Sequence, residues 1–263
     1  MKYFKVCIIC FLFLLLTSKA FAIDEEMLKQ SVLRHFEKVL TGAKIQEPAL
    51  DIPIRSPAGP KLYRLVVNAV VYIGTGDGVF GSGVVVSNSG LIITNWHVVG
   101  NESAVAVLFK QAIRQDKTGL RKEDIFAAKV LKTDRMRDLA LLRIVSAPPD
   151  LTFAQLGSLP DVETGQDVFA ISHPEGLPWS YTEGVVSQVR PKYEWRYEQS
   201  GIVHRATMIQ TQTVISFGSS GAPLFDGNGR LIGILVSTAG PGLNFAIAID
   251  EVRDFIMSAL EKR

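Results

Sequence analysis

The chain has 263 residues, of which 47% are hydrophobic and 21% charged, with a formal net charge of +2. Its 22 glycines and 12 prolines are an ordinary content, which excludes collagen-like and low-complexity architectures. The apolar fraction is sufficient for a core and excludes an intrinsically disordered chain. A nucleic-acid-binding protein would show a strong basic excess, which is absent here. The length allows one large domain or two small ones.

Residues 1–22 have the pattern of a secretory signal peptide. Two lysines precede an apolar run over residues 6–16, and Ala20-Phe21-Ala22 forms a small-residue cleavage site. We predict cleavage after Ala22 and a periplasmic or extracellular mature protein. An uncleaved anchor is the alternative, although the run is shorter than the roughly 20 residues that span a bilayer. Cys7 and Cys10 would leave with the signal, so the mature chain would hold no disulfide.

An amphipathic helix is predicted over residues 24–40, within an N-terminal segment that covers residues 23–60. Asp24 is suited to cap this helix, and its apolar stripe consists of Leu28, Val32, Phe36 and Leu40. Four prolines in residues 43–60 predict an extended connector after it. The stripe needs a partner, so the helix either packs on the rest of the chain or mediates assembly into a homo-oligomer.

From residue 61 onward, short β-branched runs alternate with turns, which predicts two barrels or a sandwich. A break at Ala147-Pro148-Pro149-Asp150 divides the runs into units over about residues 61–147 and 151–249. A final helix is predicted over residues 250–262, with Asp250 as its N-cap. The predicted strands are 66–73, 84–86, 91–94, 104–109, 127–131 and 140–145, then 167–171, 184–189, 207–214, 231–236 and 244–249.

A polar insert over residues 190–205 carries alternating aromatic side chains. These are Tyr193, Trp195 and Tyr197. The alternation fits one face of a hairpin that touches a ligand, or a loop packed on its own barrel.

Three polar residues occur in contexts that suit acyl transfer. His97 follows the β-run at 91–94, Asp138 directly precedes an apolar strand, and Ser220 lies in the glycine-framed turn Gly218-Ser219-Ser220-Gly221. A serine hydroxyl needs an imidazole to accept its proton. The imidazole needs a carboxylate on its other nitrogen, and the tetrahedral intermediate needs backbone N–H donors.

These motifs resemble the signature blocks of chymotrypsin-fold serine proteases, most closely the bacterial HtrA/Deg-type branch. The resemblance covers roughly residues 62–249 and rests on Thr94-Asn95-Trp96-His97-Val98-Val99, Asp138-Leu139-Ala140-Leu141-Leu142 and Gly218-Ser219-Ser220-Gly221-Ala222-Pro223-Leu224. It implies an all-β protease domain over residues 61–263, with two antiparallel six-stranded β-barrels and the active site in the cleft between them. It also implies a serine endopeptidase that needs no cofactor and no metal.

The resemblance further implies a role for each site residue. His97 would be the general base, Asp138 the carboxylate that orients it, and Ser220 the nucleophile. The backbone N–H groups of Gly218 and Ser220 would form the oxyanion hole. Two alternatives come from the residues themselves. Asp134 could replace Asp138, although it lies among charged residues, and Ser219 could be the nucleophile if the turn register differs.

The sequence departs from this branch at several positions. Ser216-Phe217 replaces the usual Asn-Pro pair before the glycine, His173 occupies a usual asparagine position, and Ala222 replaces a glycine. We expect no PDZ domain, because only one predicted helix follows the second barrel.

The substrate pocket is predicted to include Val214, Ser216 and Val236. Trypsin has an acid at the position of Val214, so we expect a small or medium apolar side chain at the cut site rather than a basic one. An acidic side chain is the alternative, if His173 or His204 reaches the pocket.

The function that these motifs favour is cleavage of polypeptide substrates, with no nucleic acid and no membrane partner after signal removal. A peptide-binding or chaperone-like scaffold with latent activity is the alternative. An α/β-hydrolase is disfavoured, because that fold places the nucleophile before the acid and the base along the chain.

Overall fold

The computed structural model describes residues 25–42, 58–112, 120–197, 201–238 and 242–261, without the side chains of residues 39–42, 112 and 237–238. The predicted signal peptide, Asp24 and most of the connector lie outside the described residues.

Within the described residues, twelve antiparallel strands form two closed six-stranded barrels, which confirms the predicted fold class. Barrel one closes in the order β1-β2-β3-β6-β5-β4, and barrel two in the order β10-β11-β12-β9-β8-β7. The strands of barrel one are β1 (Val70–Gly74), β2 (Phe80–Val85), β3 (Leu91–Thr94), β4 (Ala104–Phe109), β5 (Ile125–Asp134) and β6 (Leu139–Ile144). Those of barrel two are β7 (Asp167–Ser172), β8 (Ser180–Arg196), β9 (Val203–Thr211), β10 (Pro223–Asp226), β11 (Leu231–Thr238) and β12 (Asn244–Ala248).

Apolar side chains fill the interior of each barrel. Barrel one encloses Val71, Ile73, Val85, Ile92 and Val107, all fully buried. Barrel two encloses Ala170, Ile209, Leu224, Leu235 and Ala246, which are also fully buried. Side chains at alternate strand positions share one face, so the opposite faces are available for contacts between the barrels and with the helices.

The segment after the connector differs from the prediction. Residues 59–66, expected to end the connector and begin a strand, form helix α2 (Gly59–Val66). A 3₁₀ turn over Val67–Ala69 then leads to β1. Pro60 stands in the first turn of α2, where its missing N–H costs no hydrogen bond. The proline therefore starts a helix here instead of extending the chain.

Strand β10 is a second difference, since it is not among the strands predicted from the sequence. Its first residue is Pro223, and a proline is tolerated at the start of a strand because that position need not donate to the ladder. The prolines and glycines around this segment predict a turn, which hid the short strand.

The N-terminal helix α1 (Glu25–Gly42) packs on barrel one of its own chain. Leu28, Val32 and Phe36 of its apolar stripe are buried. The Phe36 ring meets the Tyr72 ring edge to face, with centroids 5.4 Å apart. The buried part of the stripe is used within the chain, so it is not available for assembly.

The C-terminal helix α4 (Ile249–Leu260) begins one residue earlier than predicted, and Asp250 is not its N-cap. The N-cap is Ala248, and the Asp250 carboxylate accepts the backbone N–H of Leu159 at 3.3 Å. Val252 and Phe255 anchor the helix in the core. Within the described ranges, no helix has the length and apolarity to cross a membrane.

Candidate active site

The side chains of His97 and Asp138 form a close pair at one end of barrel one. His97 lies in the short helix α3 (Trp96–Val99) that follows β3, and Asp138 directly precedes β6. The imidazole Nδ1 is 2.7 Å from Asp138 Oδ2, and the His97 backbone N–H donates to Oδ1 at 2.9 Å. Because a carboxylate accepts at Nδ1, that nitrogen carries the hydrogen and Nε2 has a lone pair to act as a base.

Asp138 is fully buried and has a left-handed backbone, with φ of 56°. Aspartate adopts this conformation more readily than most residues, because its short polar side chain can bond locally. The Asp138 carbonyl accepts the Asn95 side-chain amide at 3.0 Å and the Trp96 backbone N–H at 3.1 Å. The turn before β6 is thereby joined to the turn that carries His97.

The alternative acid, Asp134, is engaged elsewhere. Its carboxylate accepts the backbone N–H of Arg137 at 3.0 Å and pairs with the Arg137 guanidinium at 3.2 Å. The structure thus brings Asp138, and not Asp134, to the imidazole.

The turn that carries Ser220 belongs to barrel two but packs against barrel one. The Ser220 carbonyl accepts the backbone N–H of Ser82 at 2.8 Å. At Gly221, φ is 82°, and an added Cβ would collide with the Ser82 carbonyl oxygen and with Thr94 Oγ1. Only glycine allows the turn to approach this closely. Thr94 is the last residue of β3, three residues before His97, so the contact sets the serine turn against the strand that leads into the helix carrying the imidazole.

The two adjacent serines have different environments. Ser219 is buried, and its Oγ is 3.2 Å from Ser172 Oγ and accepts the Ser216 N–H at 3.3 Å. Ser220 is half-buried, and neither its hydroxyl nor His97 Nε2 is hydrogen-bonded within the described part of the chain. Catalytic hydrogen bonds are often long in unliganded enzymes and shorten when substrate binds. Of the two serines, Ser220 has the hydroxyl that a substrate can reach.

Two peptide planes in this turn are fixed through their carbonyl oxygens. The Phe217 carbonyl accepts the Glu175 N–H at 2.7 Å, and the Ser219 carbonyl accepts the Ala222 N–H at 3.1 Å. In a trans peptide the N–H points opposite to the carbonyl. The N–H groups of Gly218 and Ser220 therefore face away from these partners, and neither donates to another described residue. Both are available for an oxyanion.

His173 is linked to the same turn through the hydroxyl of Ser82. Ser82 Oγ donates its hydrogen to the Gly218 carbonyl at 2.8 Å. His173 Nδ1 is 2.8 Å from Ser82 Oγ, so the ring N–H donates to that hydroxyl oxygen. The imidazole is fully buried between the rings of Tyr72 and Trp179. Burial lowers the pKa of His173 to about 3, so it is neutral at physiological pH.

The alternative of a histidine that recognises an acidic substrate is not supported. His173 is buried and uncharged, as described above. His204 is also buried, and its Nδ1 is 2.7 Å from the Arg135 carbonyl oxygen. Neither ring is exposed to a substrate.

The predicted pocket residues differ in exposure. The side chain of Val214 is 64% exposed, Ser216 is half-buried and Val236 is only 2% exposed. Phe217, a departure from the pattern of the resembled family, is 62% exposed beside the turn. Val214, Ser216 and Phe217 present surface, whereas Val236 is buried and its carbonyl oxygen lies 3.2 Å from the Tyr197 hydroxyl.

Sequence reasoning missed one residue at the site. Tyr197 Oη lies 3.0 Å from Asp138 Oδ2. The aromatic alternation in residues 190–205 was the available signal, and the structure shows that this segment extends β8 and β9 as a long hairpin. Tyr193 packs on its own barrel, stacked on Phe245, while Tyr197 reaches barrel one. Neither of the two interpretations of the insert included a contact with the acid.

Comparison with known proteins identifies the family of the chain. The family of trypsin-like peptidase domains matches residues 81–234, and the chain belongs to that family. It is 34% identical to the magnetosome formation protease MamE of Paramagnetospirillum magneticum, over 86% of this chain and 29% of that protein. It is 35% identical to the serine protease HTRA1B of Danio rerio, over 70% of this chain and 35% of that protein.

A solved structure, the HtrA-type protease AlgW with a decapeptide, matches with a TM-score of 0.62 and 22% identity, over 77% of this chain and 67% of that chain. The expected resemblance to HtrA-type proteases is confirmed. The chain spans about a third of the length of the curated relatives named above.

The buried imidazole predicts a specific pH dependence of stability. The pKa of His173 falls from 6.5 to about 3 on folding. Between these values the unfolded chain binds a proton that the folded chain does not, so the free energy of unfolding decreases as the pH falls through this window. His173→Asn keeps an N–H donor for Ser82 and removes the titration.

The measurement is denaturant unfolding of both proteins from about pH 7 to about pH 4. The stability of the wild type relative to the variant should fall with pH, by up to about 1.4 kcal/mol per pH unit. Other titrating groups are common to both chains and cancel in the difference. Parallel pH curves would show that His173 titrates normally.

Proposed function

We propose that the chain is a serine endopeptidase that hydrolyses peptide bonds of polypeptides through an acyl-enzyme. The observation that carries the proposal is the buried Asp138 carboxylate 2.7 Å from His97 Nδ1, combined with the packing of the Ser220 turn against β2 and β3, the strands that precede the His97 helix. The trypsin-like family and the serine proteases among the relatives support the same activity.

In the proposed mechanism, Ser220 Oγ attacks the substrate carbonyl carbon while His97 Nε2 accepts its proton. Asp138 holds the imidazole and stabilises the imidazolium that forms. The N–H groups of Gly218 and Ser220 stabilise the negative oxygen of the tetrahedral intermediate. His97 then protonates the leaving amine as the C–N bond breaks, and the acyl group remains on Ser220 Oγ. A water molecule, deprotonated by His97, attacks the acyl carbon, and His97 returns the proton to Ser220 Oγ as the carboxylic acid leaves.

A scaffold with latent activity is the alternative function. It would require a serine turn whose N–H groups are unavailable to the substrate. The two fixed peptide planes argue against that arrangement, since they leave the N–H groups of Gly218 and Ser220 unpaired within the described residues. The geometry therefore favours the active enzyme.

The activity predicts that Ser220→Ala abolishes peptide hydrolysis. Loss of a triad serine lowers turnover on the order of 10⁶-fold, because the nucleophile is removed. The measurement is hydrolysis of an unfolded protein substrate, with labelling by a fluorophosphonate probe beside it. The wild type should react with one equivalent of probe at Ser220.

Ser219→Ala is the matched comparison for this variant. The probe should still label Ser220 in that protein. Label that disappears in Ser219→Ala and persists in Ser220→Ala would transfer the role to Ser219. A folded wild-type protein that neither cleaves nor labels would favour the scaffold.

For specificity, we propose that a small or medium apolar side chain precedes the cleaved bond. Val214 supplies an exposed apolar surface at a position where a preference for basic substrates would need a carboxylate. His173 and His204, which could have favoured an acidic side chain, are both buried. Mass-spectrometric mapping of cut sites in a peptide library tests this preference. Enrichment of Arg, Lys, Asp or Glu before the cut would contradict it.

For location, we propose export to the periplasm or the extracellular space. The support is the basic, apolar and Ala-x-Ala pattern of residues 1–22. Protein recovered from outside the cytoplasm should begin at Ile23 when its N-terminus is determined by mass spectrometry. A chain that retains Met1 in that fraction would contradict signal cleavage.

A further inference from the structure

The β8–β9 hairpin reaches from barrel two to the turn of barrel one that carries Asp138. The Arg205 backbone N–H donates to the Met136 carbonyl at 2.7 Å. The His204 Nδ1–H donates to the Arg135 carbonyl, also at 2.7 Å. These bonds lie two and three residues before Asp138, so the hairpin holds the backbone that precedes the acid.

The hydroxyl of Tyr197 reaches the carboxylate itself. It lies 3.0 Å from Asp138 Oδ2, 3.3 Å from His97 Nδ1 and 3.2 Å from the Val236 carbonyl oxygen. One hydroxyl hydrogen cannot fully serve two acceptors. The carboxylate is the nearer and the charged acceptor, so it is preferred, because hydrogen bonds to ionised groups are the stronger ones.

Ring contacts fix the position of Tyr197. Its ring centroid is 5.0 Å from that of His97 and 5.2 Å from that of His204. The His204 ring is in turn stacked on Trp195, with centroids 5.2 Å apart. Burial and the negative charge of Asp138 raise the pKa of Tyr197, so the phenol remains protonated and acts as a donor.

The described donors to the Asp138 carboxylate come from two residues. His97 supplies its backbone N–H to Oδ1 and its ring N–H to Oδ2. Tyr197 supplies the other hydrogen bond, also to Oδ2. Since the carboxylate is fully buried, water does not replace a donor that is lost. Without the tyrosine hydroxyl, the His97 ring would be the one described donor to Asp138 Oδ2. The oxygen that orients the imidazole would then have no other described hydrogen bond to fix its position.

We propose that Tyr197 is a positioning residue of the active site. It fixes the Asp138 carboxylate, and through it the His97 ring, from the opposite barrel. Tyr197 acts through Asp138, and the proposal rests on the proposed hydrolase function. The Tyr197 hydroxyl is an additional hydrogen-bond donor to the acid. It comes from a hairpin of barrel two and lies outside the three triad motifs.

The experiment compares Tyr197→Phe with Tyr193→Phe. Both substitutions remove one phenolic hydroxyl from the same hairpin and keep the ring. Tyr193 stacks on Phe245, and its hydroxyl has no hydrogen-bond partner among the described residues. Thermal unfolding of both variants checks that each remains folded.

We expect Tyr197→Phe to lower kcat by about 10-fold or more and to change KM by less than about twofold, because a hydrogen bond to a charged group is lost at the chemical step. Tyr193→Phe should stay within about twofold of the wild type in both constants. In an Asp138→Ala background, Tyr197→Phe should have no further effect, because its partner is gone. Equal kcat in wild type and Tyr197→Phe would overturn the proposal.

A second measurement is independent of activity. The proton on His97 Nδ1, bonded to a buried carboxylate, gives a proton NMR signal far downfield, which can be assigned by its loss in His97→Ala. Tyr197→Phe should shift or broaden this signal, and Tyr193→Phe should leave it in place. An unchanged signal in Tyr197→Phe would refute the positioning role, even if no substrate were cleaved. Failure of the proposed hydrolase would instead appear as a wild type that neither cleaves nor labels.

Discussion

The geometry of the site depends on one buried negative charge. An ionised carboxylate without water is strongly unfavourable unless it is paired and hydrogen-bonded. Asp138 meets this condition through the His97 backbone and ring and through the Tyr197 hydroxyl. Removing one partner of such a buried pair typically costs about 3–5 kcal/mol. The charge that would stabilise an imidazolium in the proposed mechanism therefore also constrains how the surrounding turns fold.

The two barrels are joined by backbone contacts as well as by apolar packing. At Gly81 on β2, an added Cβ would lie 2.8 Å from the methyl groups of Val98 and 3.1 Å from the Ser220 carbonyl oxygen. A side chain there would separate the helix that carries His97 from the turn that carries Ser220. Together with Gly221, this position lets β2, the His97 helix and the serine turn pack closely, with a hydrogen bond from Ser82 to the Ser220 carbonyl. The proposed catalytic arrangement is thus a property of the interface, which neither barrel forms alone.

The sequence predicted what local pattern and motif determine. Alternation and turns predicted eleven of the twelve strands, and the motif order placed the acid and the imidazole in one barrel and the serine turn in the other. Two of its failures came from prolines in uncommon positions, and a third from a contact between residues distant in the chain. Residues 59–66 became a helix because Pro60 is tolerated in a first turn, and β10 was hidden by its initial proline. Tyr197 was noticed as part of an alternation, but its partner Asp138 is 59 residues away in the chain, and no local pattern links them.

Barrel two therefore contributes to the site in two ways. Its serine turn brings Ser220 and two free N–H groups against β2 and β3, and its long hairpin brings Tyr197 to the acid of barrel one. The Tyr197 hydroxyl also lies 3.2 Å from the Val236 carbonyl on β11, and the Gly221 N–H donates to the Leu235 carbonyl on the same strand. The hairpin and the serine turn thus contact adjacent residues of β11. In the proposed mechanism, one strand therefore contacts both the turn of the nucleophile and the residue that positions the acid.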